Sequence, residues 1–437
     1  MRTGVSLLLG SALTIGLAVH AQQPGAPAAS QPAGTPQPPA LPASDANGNP
    51  LRRAAKTGHL SNYDEAKVAP YTLPDPLVLS NGQRITDPDA WTRRRRPEIM
   101  RLYETEIFGR VPTNAPKVTW EVKETDPAAR GGTALMKQVV GTVGSGEHAV
   151  HIRVTLYTPA KAAGAVPVIL IANFGGGPAP ARAGGGVQLG DPPVAADILA
   201  RGWGYAMVGY QDIQPDRANT LNEGVIGLTR GAGQQPGPDE WGSITAWAWG
   251  ISRIIDYLGT DASVNANRIA LQGHSRLGKT ALWASALDDR IKVVYASCSG
   301  EMGAALSRRD WGETVDDMTQ NFPWWFAGNF QKFAGRWNEM PVDAHMLIAL
   351  SAPRPVFVTG GTADQWADPV GMFLAEVNAG PVFRLLGRSD LGAPAGPPPL
   401  DTPLTHGDLG WHYHTGGHAA TAADWTAFLT FAGKYLE

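Results

Sequence analysis

Ser275 stands in Arg268-Ile-Ala-Leu-Gln-Gly-His-Ser-Arg-Leu-Gly-Lys279, where an apolar run meets a Gly-His-Ser turn and then a helix-forming stretch. A strained strand-to-helix turn of this kind lifts a serine hydroxyl out of a sheet. It also sets the partly positive start of the next helix beside the oxyanion that acyl transfer develops. The usual elbow is Gly-x-Ser-x-Gly, but here Leu277 holds the place of the second glycine and Gly278 follows it. Since a serine after a strand can also be a plain helix N-cap, the reading as a serine esterase needs partners elsewhere in the chain.

A serine nucleophile needs an imidazole to take its proton and a carboxylate to orient that imidazole, and one common chain order is Ser, acid, His. Asp364 lies in Gly-Thr-Ala-Asp-Gln-Trp, just past the apolar run Pro355 to Thr359. Of His406, His412, His414 and His418, the last is the expected base, because it sits in the Thr415-Gly-Gly-His418 loop before the final helical stretch. His412 and His414 flank Tyr413 as neighbours on one strand face would. Four histidines so close invite a zinc reading, but no carboxylate-rich motif accompanies them and no metal is expected. The glycine-rich Asn173-Phe-Gly-Gly-Gly-Pro178 follows a buried apolar run. The N–H groups of Phe174 and Gly175, with that of Arg276, are the candidate oxyanion donors. The Arg276 guanidinium would add a full charge to them.

Two kinds of element must position these residues. Lys117 to Val122, Met136 to Val143 and His148 to Leu156 alternate apolar and polar residues, as antiparallel strands do. Val166 to Asn173, Gly204 to Gly209, Arg268 to Gln272, Val293 to Ser297, Pro355 to Thr359 and Val382 to Leu386 are short apolar runs. The helical stretches between and after them are Val194 to Arg201, Trp241 to Leu258, Arg276 to Leu287, Pro369 to Val377 and Thr421 to Tyr435. This is the grammar of an α/β fold of the α/β-hydrolase type, a mostly parallel central sheet with helices on both faces. Its reactive groups belong on loops at the carboxyl ends of the strands.

Of the 437 residues, 43% are hydrophobic and 17% charged, the balance of a globular chain that can bury a large core. The net charge of −3 comes with no basic block, which gives no reason to expect nucleic acid or an anionic membrane as partner. Arg2, the apolar run Gly4 to Val19 and the small-residue stretch ending at Ala21 read as a secretory signal, cleaved after Ala21. The run is shorter than the ~20 residues that span a bilayer, so no membrane attachment is expected after its removal. Residues 22–50 are rich in Pro, Ala, Gly and Gln and read as a disordered spacer. Residues 51–437 are expected to form one catalytic domain, periplasmic or secreted and monomeric. Cys298 is the sole cysteine, so no internal disulfide can form; it reads as a small buried hydrophobe.

Gly273-His-Ser-Arg-Leu-Gly-Lys279 resembles the Gly-Cys-Ser-Arg-x-Gly-Lys signature of the glucuronoyl esterases, carbohydrate esterase family 15, which explains the displaced glycine. Further matching pieces are Asn173-Phe-Gly-Gly, Ser307-Arg-Arg-Asp-Trp-Gly-Glu313, Asn321-Phe-Pro-Trp-Trp-Phe326, Asp343-Ala-His, Asp364-Gln-Trp366, Gly-Gly-His418 and Asp424-Trp425. The resemblance runs from about Leu51 to the C-terminus. It implies cofactor-free hydrolysis of the ester between 4-O-methyl-glucuronic acid of glucuronoxylan and a lignin alcohol, with those lignin-carbohydrate esters as the partners. It also implies that Lys279, Glu313 and Trp366 hold the sugar. In fungal relatives the triad acid is a glutamate whose place falls here on Cys298, whereas many bacterial relatives carry it where Asp364 lies. Glu301 and Asp368 are the other candidate acids. An acetyl xylan or cinnamoyl esterase would need the same triad but not Arg276, Lys279 and Glu313. A non-catalytic carbohydrate-binding protein would have lost Ser275, His418 or the acid, and all are present.

Overall fold

Alternation and continuous apolarity in the sequence become the two halves of one nine-stranded sheet. The computed structural model describes residues 41–437 apart from 176–189, 231–233, 394–395 and 397. The strands are β1 (Val118–Ala128), β2 (Ala134–Val143), β3 (Val150–Pro159), β4 (Val166–Asn173), β5 (Gly204–Gly209), β6 (Val264–His274), β7 (Ile291–Ser297), β8 (Val356–Gly361) and β9 (Leu409–His414). Their order across the sheet is β1-β2-β3-β5-β4-β6-β7-β8-β9.

The first three strands pair antiparallel and show the alternation expected of a sheet with one wet face. In β3, the buried Ile152, Val154 and Leu156 alternate with the exposed His151 and Arg153 and the half-buried Thr155. Strand β5 joins the halves, antiparallel to β3 and parallel to β4. From there to β9 every pairing is parallel, and β5 and β8 are buried throughout. Successive residues feed opposite layers, as a period of two requires. Leu170 and Leu271 pack with Trp247 of the helix Ser243–Leu258 and Trp283 of the helix Arg276–Leu287. Ile169, Ile171 and Ala270 pack with Trp425 and Phe428 of the helix Ala422–Leu436.

Two expectations are corrected. Val382 to Leu386 is not a strand but belongs to the end of the helix Pro369–Leu385, which passes through Pro381, and the last strand is β9. A run of five apolar-rich residues fits a buried strand or a buried helix turn equally well. The spacer is also shorter than expected. Pro42–Glu437 is one compact unit, and residues 42–50 belong to it. Asp45 Oδ1 accepts the N–H groups of Asn47 and Asn49, both at 2.8 Å, and Tyr63 donates its hydroxyl to the Pro50 carbonyl at 2.6 Å. Side-chain-to-backbone bonds of this kind order a turn that has little to bury. The expected signal segment and residues 22–40 lie outside the described residues.

Candidate active site

At the end of β6 the chain reverses through Ser275, whose φ of 58° and ψ of −128° lie in a region that non-glycine residues rarely occupy. Such a residue costs of order 1–3 kcal/mol and persists only where its surroundings enforce it. Here the Ser275 N–H donates to the Ser297 carbonyl at 2.8 Å, which ties the turn to the end of β7. A Cβ on Gly273 would lie 1.9 Å from the Leu277 carbonyl oxygen, so no larger residue fits there. A Cβ on Gly278 would lie 2.9 Å from Ser299 Cβ and 3.2 Å from the Ser297 carbonyl oxygen. The close approach normally made by the second elbow glycine is therefore made by Gly278, while Leu277 turns fully into the core.

His418 presents Nδ1 to Asp364 Oδ2 at 2.7 Å, which leaves Nε2 free to face a hydroxyl. The carboxylate is buried and the imidazole half exposed. Two loops far apart in sequence are stitched together to make this pair. Ala363 N–H donates to the Gly416 carbonyl at 2.7 Å, and Gly416 N–H to Thr362 Oγ1 at 3.1 Å. His414 adds a bond between Nε2 and the Gly417 carbonyl at 3.1 Å.

His412 and His414 share Asp424, with Nδ1 contacts of 2.7 and 3.0 Å. Burial works to raise the Asp424 carboxyl, but its bonds from both histidines and from Thr421 prevail and hold it down at about 2. Asp424 also caps the last helix, so these histidines brace the His418 loop rather than form a metal set. Cys298 sits beside the pair: its Sγ and the nearest Asp364 and His418 ligand atoms lie within 4.8 Å of one another. Burial raises that thiol far above its ordinary value. Glu301 takes its bond from the Ser307 hydroxyl at 2.6 Å, and burial lifts its carboxyl well above the usual range. Asp368 is committed to Arg309 at 3.0 Å and to Gly371 N–H at 2.9 Å. Of the three candidate acids, only Asp364 meets the histidine.

The residue that sequence reasoning missed is Asp216. Its carboxylate is 1% exposed and accepts four donors: Tyr210 Oη at 2.9 Å, Trp324 Nε1 at 2.9 Å, Trp325 Nε1 at 2.6 Å and Arg276 Nη1. Arg276 lies over the Trp325 ring at 4.9 Å, and its buried Nε has no partner among the described residues. A full positive charge is thus clamped one residue past the serine with a donor to spare. The Arg276 backbone N–H, at the first position of the helix, also has no intrahelical acceptor. Phe174 and Gly175 differ from expectation. Their N–H groups are turned back onto Asn173, to its Oδ1 at 2.7 Å and its carbonyl at 2.9 Å. Gly176, Gly177 and Pro178 of that loop lie outside the described residues.

One turn further along the helix, Lys279 donates to the Ser299 carbonyl at 2.6 Å and lies 3.8 Å from Glu313. Burial pushes the Lys279 ammonium below its ordinary value and lifts the Glu313 carboxyl above its own. Neither is fully compensated by the other, and a polyol hydroxyl between them would relieve both. Glu313 N–H donates to the Trp366 carbonyl at 2.9 Å. The approach depends on Gly312, at φ 62°, where a Cβ would lie 2.6 Å from that same carbonyl oxygen. The other motif arginines are structural: Arg308 pairs with Asp343 at 3.0 Å, and Arg309 with Glu65 and Asp368.

His274, between the elbow glycine and the serine, lies with its ring centroid 4.6 Å from that of His418. Burial, and then the nearby His418, depress its pKa to about 3, so its ring stays neutral and does not repel an imidazolium at His418. Together the groups present a hydroxyl on a strained elbow, a carboxylate-oriented imidazole, a fixed cation and a buried cation–carboxylate pair.

Residues 236–387 match the family model described as glucuronyl esterase, fungi. The chain is 38% identical to carbohydrate esterase MZ0003 of an unknown prokaryotic organism over 402 residues, 86% of this chain and 92% of that protein. It is 28% identical to the 4-O-methyl-glucuronoyl methylesterase of Cerrena unicolor over 338 residues, 75% of this chain and 64% of that protein. Among solved structures it is similar to a glucuronoyl esterase from Solibacter usitatus, with TM-score 0.79 and 41% identity, covering 85% of this chain and all of that one.

Proposed function

We propose, for a chain that belongs to carbohydrate esterase family 15, the glucuronoyl esterases, that it hydrolyses the ester between a 4-O-methyl-glucuronic acid branch of glucuronoxylan and an alcohol of lignin. Ser275 Oγ attacks the uronate carbonyl carbon while His418 Nε2 takes its proton, and Asp364 stabilises the imidazolium that forms. The tetrahedral oxyanion is held by the Arg276 backbone N–H and its guanidinium. Collapse breaks the ester bond, and the departing alcohol takes the proton from His418. Water, deprotonated by the same imidazole, then attacks the acyl-enzyme; collapse breaks the acyl–Oγ bond, releases the uronate, and His418 returns the proton to Ser275. Lys279, Glu313 and Trp366 bind the sugar's oxygens. Every step is served by a side chain or backbone group, with no cofactor required.

The observation that carries this reading is the joint presence, at one helix start, of the elbow serine, a clamped arginine and a buried lysine that meets Glu313. An acetyl or cinnamoyl esterase has no use for the last two. The amino-terminal pattern supports export to the periplasm or beyond, and among the described residues no helix is long and apolar enough to cross a membrane. We expect the protein to act as a monomer. The test is initial rates on benzyl glucuronate ester beside acetyl and feruloyl esters at equal concentration. Preference for the uronate ester supports the reading, and preference for either of the others refutes it.

A further inference from the structure

Cys298 is the first residue past β7, and its N–H donates to the Thr359 carbonyl of β8 at 2.8 Å. Its φ of 45° lies in the left-handed region, where a residue with a side chain costs of order 1–3 kcal/mol. In this conformation the thiol stands beside the catalytic pair: the sulfur, an Asp364 oxygen and a His418 ring nitrogen lie within 4.8 Å of one another. The hydrolysis derived above uses the carboxylate and the imidazole and gives the thiol nothing to do.

A thiolate, a carboxylate and a neutral imidazole are the donors that zinc and other thiophilic divalent cations select, and three protein ligands leave a fourth place for water. Two of the three donors are anionic once the thiol gives up its proton, which matches a charge of +2. Bonds of about 2.0–2.3 Å set tetrahedral donors roughly 3.3–3.8 Å apart. The sulfur must therefore draw in by about 1 Å, and the Asp364–His418 contact must open from 2.7 Å by less than that. His418 is the member that can give, because its side chain is half exposed and Gly416-Gly417 precede it. An ion has a path as well, since Asp364 and His418 both line a cavity of about 640 Å³, while the buried Cys298 completes the set from within. Magnesium and calcium, which take oxygen ligands, would find a single carboxylate here.

We infer that Cys298, Asp364 and His418 form an inhibitory site for a thiophilic divalent cation such as zinc or cadmium. The ion joins the sulfur, an Asp364 oxygen and His418 Nδ1. The thiol proton leaves to solvent, the proton that Nδ1 shared with Asp364 moves to Nε2, and nothing is oxidised or reduced. With Nε2 protonated and Nδ1 on the metal, the ring has no lone pair left to take the Ser275 proton, and hydrolysis stops. The inference goes beyond the uronate-ester reading and holds for whichever ester the serine cleaves.

The test titrates the full chain with cadmium chloride, in wild type, Cys298→Ala and Cys298→Ser, reading the ultraviolet cadmium–thiolate absorption and the rate on benzyl glucuronate ester. Cys298 is the sole cysteine, so the band can arise only there. The wild type should gain a band that saturates at one ion per chain and lose activity over the same concentrations, both reversed by EDTA. The variants should keep the metal-free rate, show no band and be inhibited more than about 100-fold more weakly, beyond the cost of losing an outer-shell partner. Magnesium should not inhibit. Absence of the band in wild type, or equal inhibition of wild type and variants, would overturn the site. Should the variants lose the metal-free rate, the wild type decides: a shared midpoint for band and inhibition supports the site, and separate midpoints refute it. If the benzyl ester is not cleaved at all, the uronate-ester reading fails, while the band still decides for or against the metal site.

Discussion

Arg276 and Lys279 stand three residues apart at the start of one helix and both meet a carboxylate, yet the two pairs are built differently. Asp216 is saturated by four donors and grips the guanidinium, which lies against Trp325. Glu313 stands 3.8 Å from a lysine whose ammonium burial has already weakened. A saturated partner fixes a charge in place before the reaction needs it, which is how preorganised electrostatic stabilisation works. An unsaturated pair leaves donors and acceptors for something else to satisfy. From the difference we propose that the helix start serves two tasks: its first residue stabilises developing charge, and its fourth recognises a ground-state ligand.

The strongest way to break that division is Arg276→Ala, expected to lower kcat by about 10²–10³ with a small change in KM, the loss seen when an oxyanion donor is removed. Steady-state kinetics on the benzyl ester measures it. Asp216→Asn keeps the shape but removes the clamp, and should cost about 10–100-fold in kcat, as expected for a disturbed group that acts through its neighbour. Combined with Arg276→Ala, it should cost little more than Arg276→Ala alone. Full additivity would show that Asp216 acts elsewhere. Lys279→Met and Glu313→Gln should instead raise KM by about tenfold with a smaller effect on kcat, the pattern of lost ground-state binding.

The smallest effect sharpens the picture of the residue between the elbow glycine and the serine. His274 is held neutral with its pKa near about 3, below its ordinary value near 6.5. The unfolded chain therefore binds a proton that the folded chain refuses, and stability falls as the pH drops below about 6.5. Between pH 7.5 and 5.5 this amounts to about 1 kcal/mol. In His274→Asn that part of the loss should vanish, read as a smaller drop in Tm over the same interval.

What could be read from the sequence follows physical locality. The elbow, the acid and the base each carry local signals, because a strand, a glycine-flanked turn and a reactive side chain fall within a few residues. The parallel strands β4 and β5 stand where their apolar runs lie. Val382-Phe-Arg-Leu-Leu misled because a five-residue run is too short to show the period that separates helix from strand, while β9 showed only in the alternation of His412 and His414 about Tyr413, two histidines that pair with Asp424. Asp216 was invisible for another reason. It follows Pro215 in a loop 60 residues before Arg276, and nothing in its neighbourhood says that two indoles, a phenol and a guanidinium will converge on it. The glycine-rich loop showed the opposite failure, since its motif suggested free donors where Asn173 takes both N–H groups for itself. Composition likewise concealed residues 42–50, which are ordered by a single aspartate and one tyrosine rather than by apolar burial.

The central claim, a serine esterase whose histidine is oriented by Asp364, is tested most directly by kcat/KM on benzyl glucuronate ester for wild type, Ser275→Ala, Asp364→Ala and Glu301→Ala. The account predicts that activity is abolished by the first substitution, falls by about 10³–10⁴ with the second, the scale of triad-acid loss, and persists within about tenfold with the third, whose carboxylate serves Ser307. Retention of activity in Asp364→Ala together with its collapse in Glu301→Ala would contradict it.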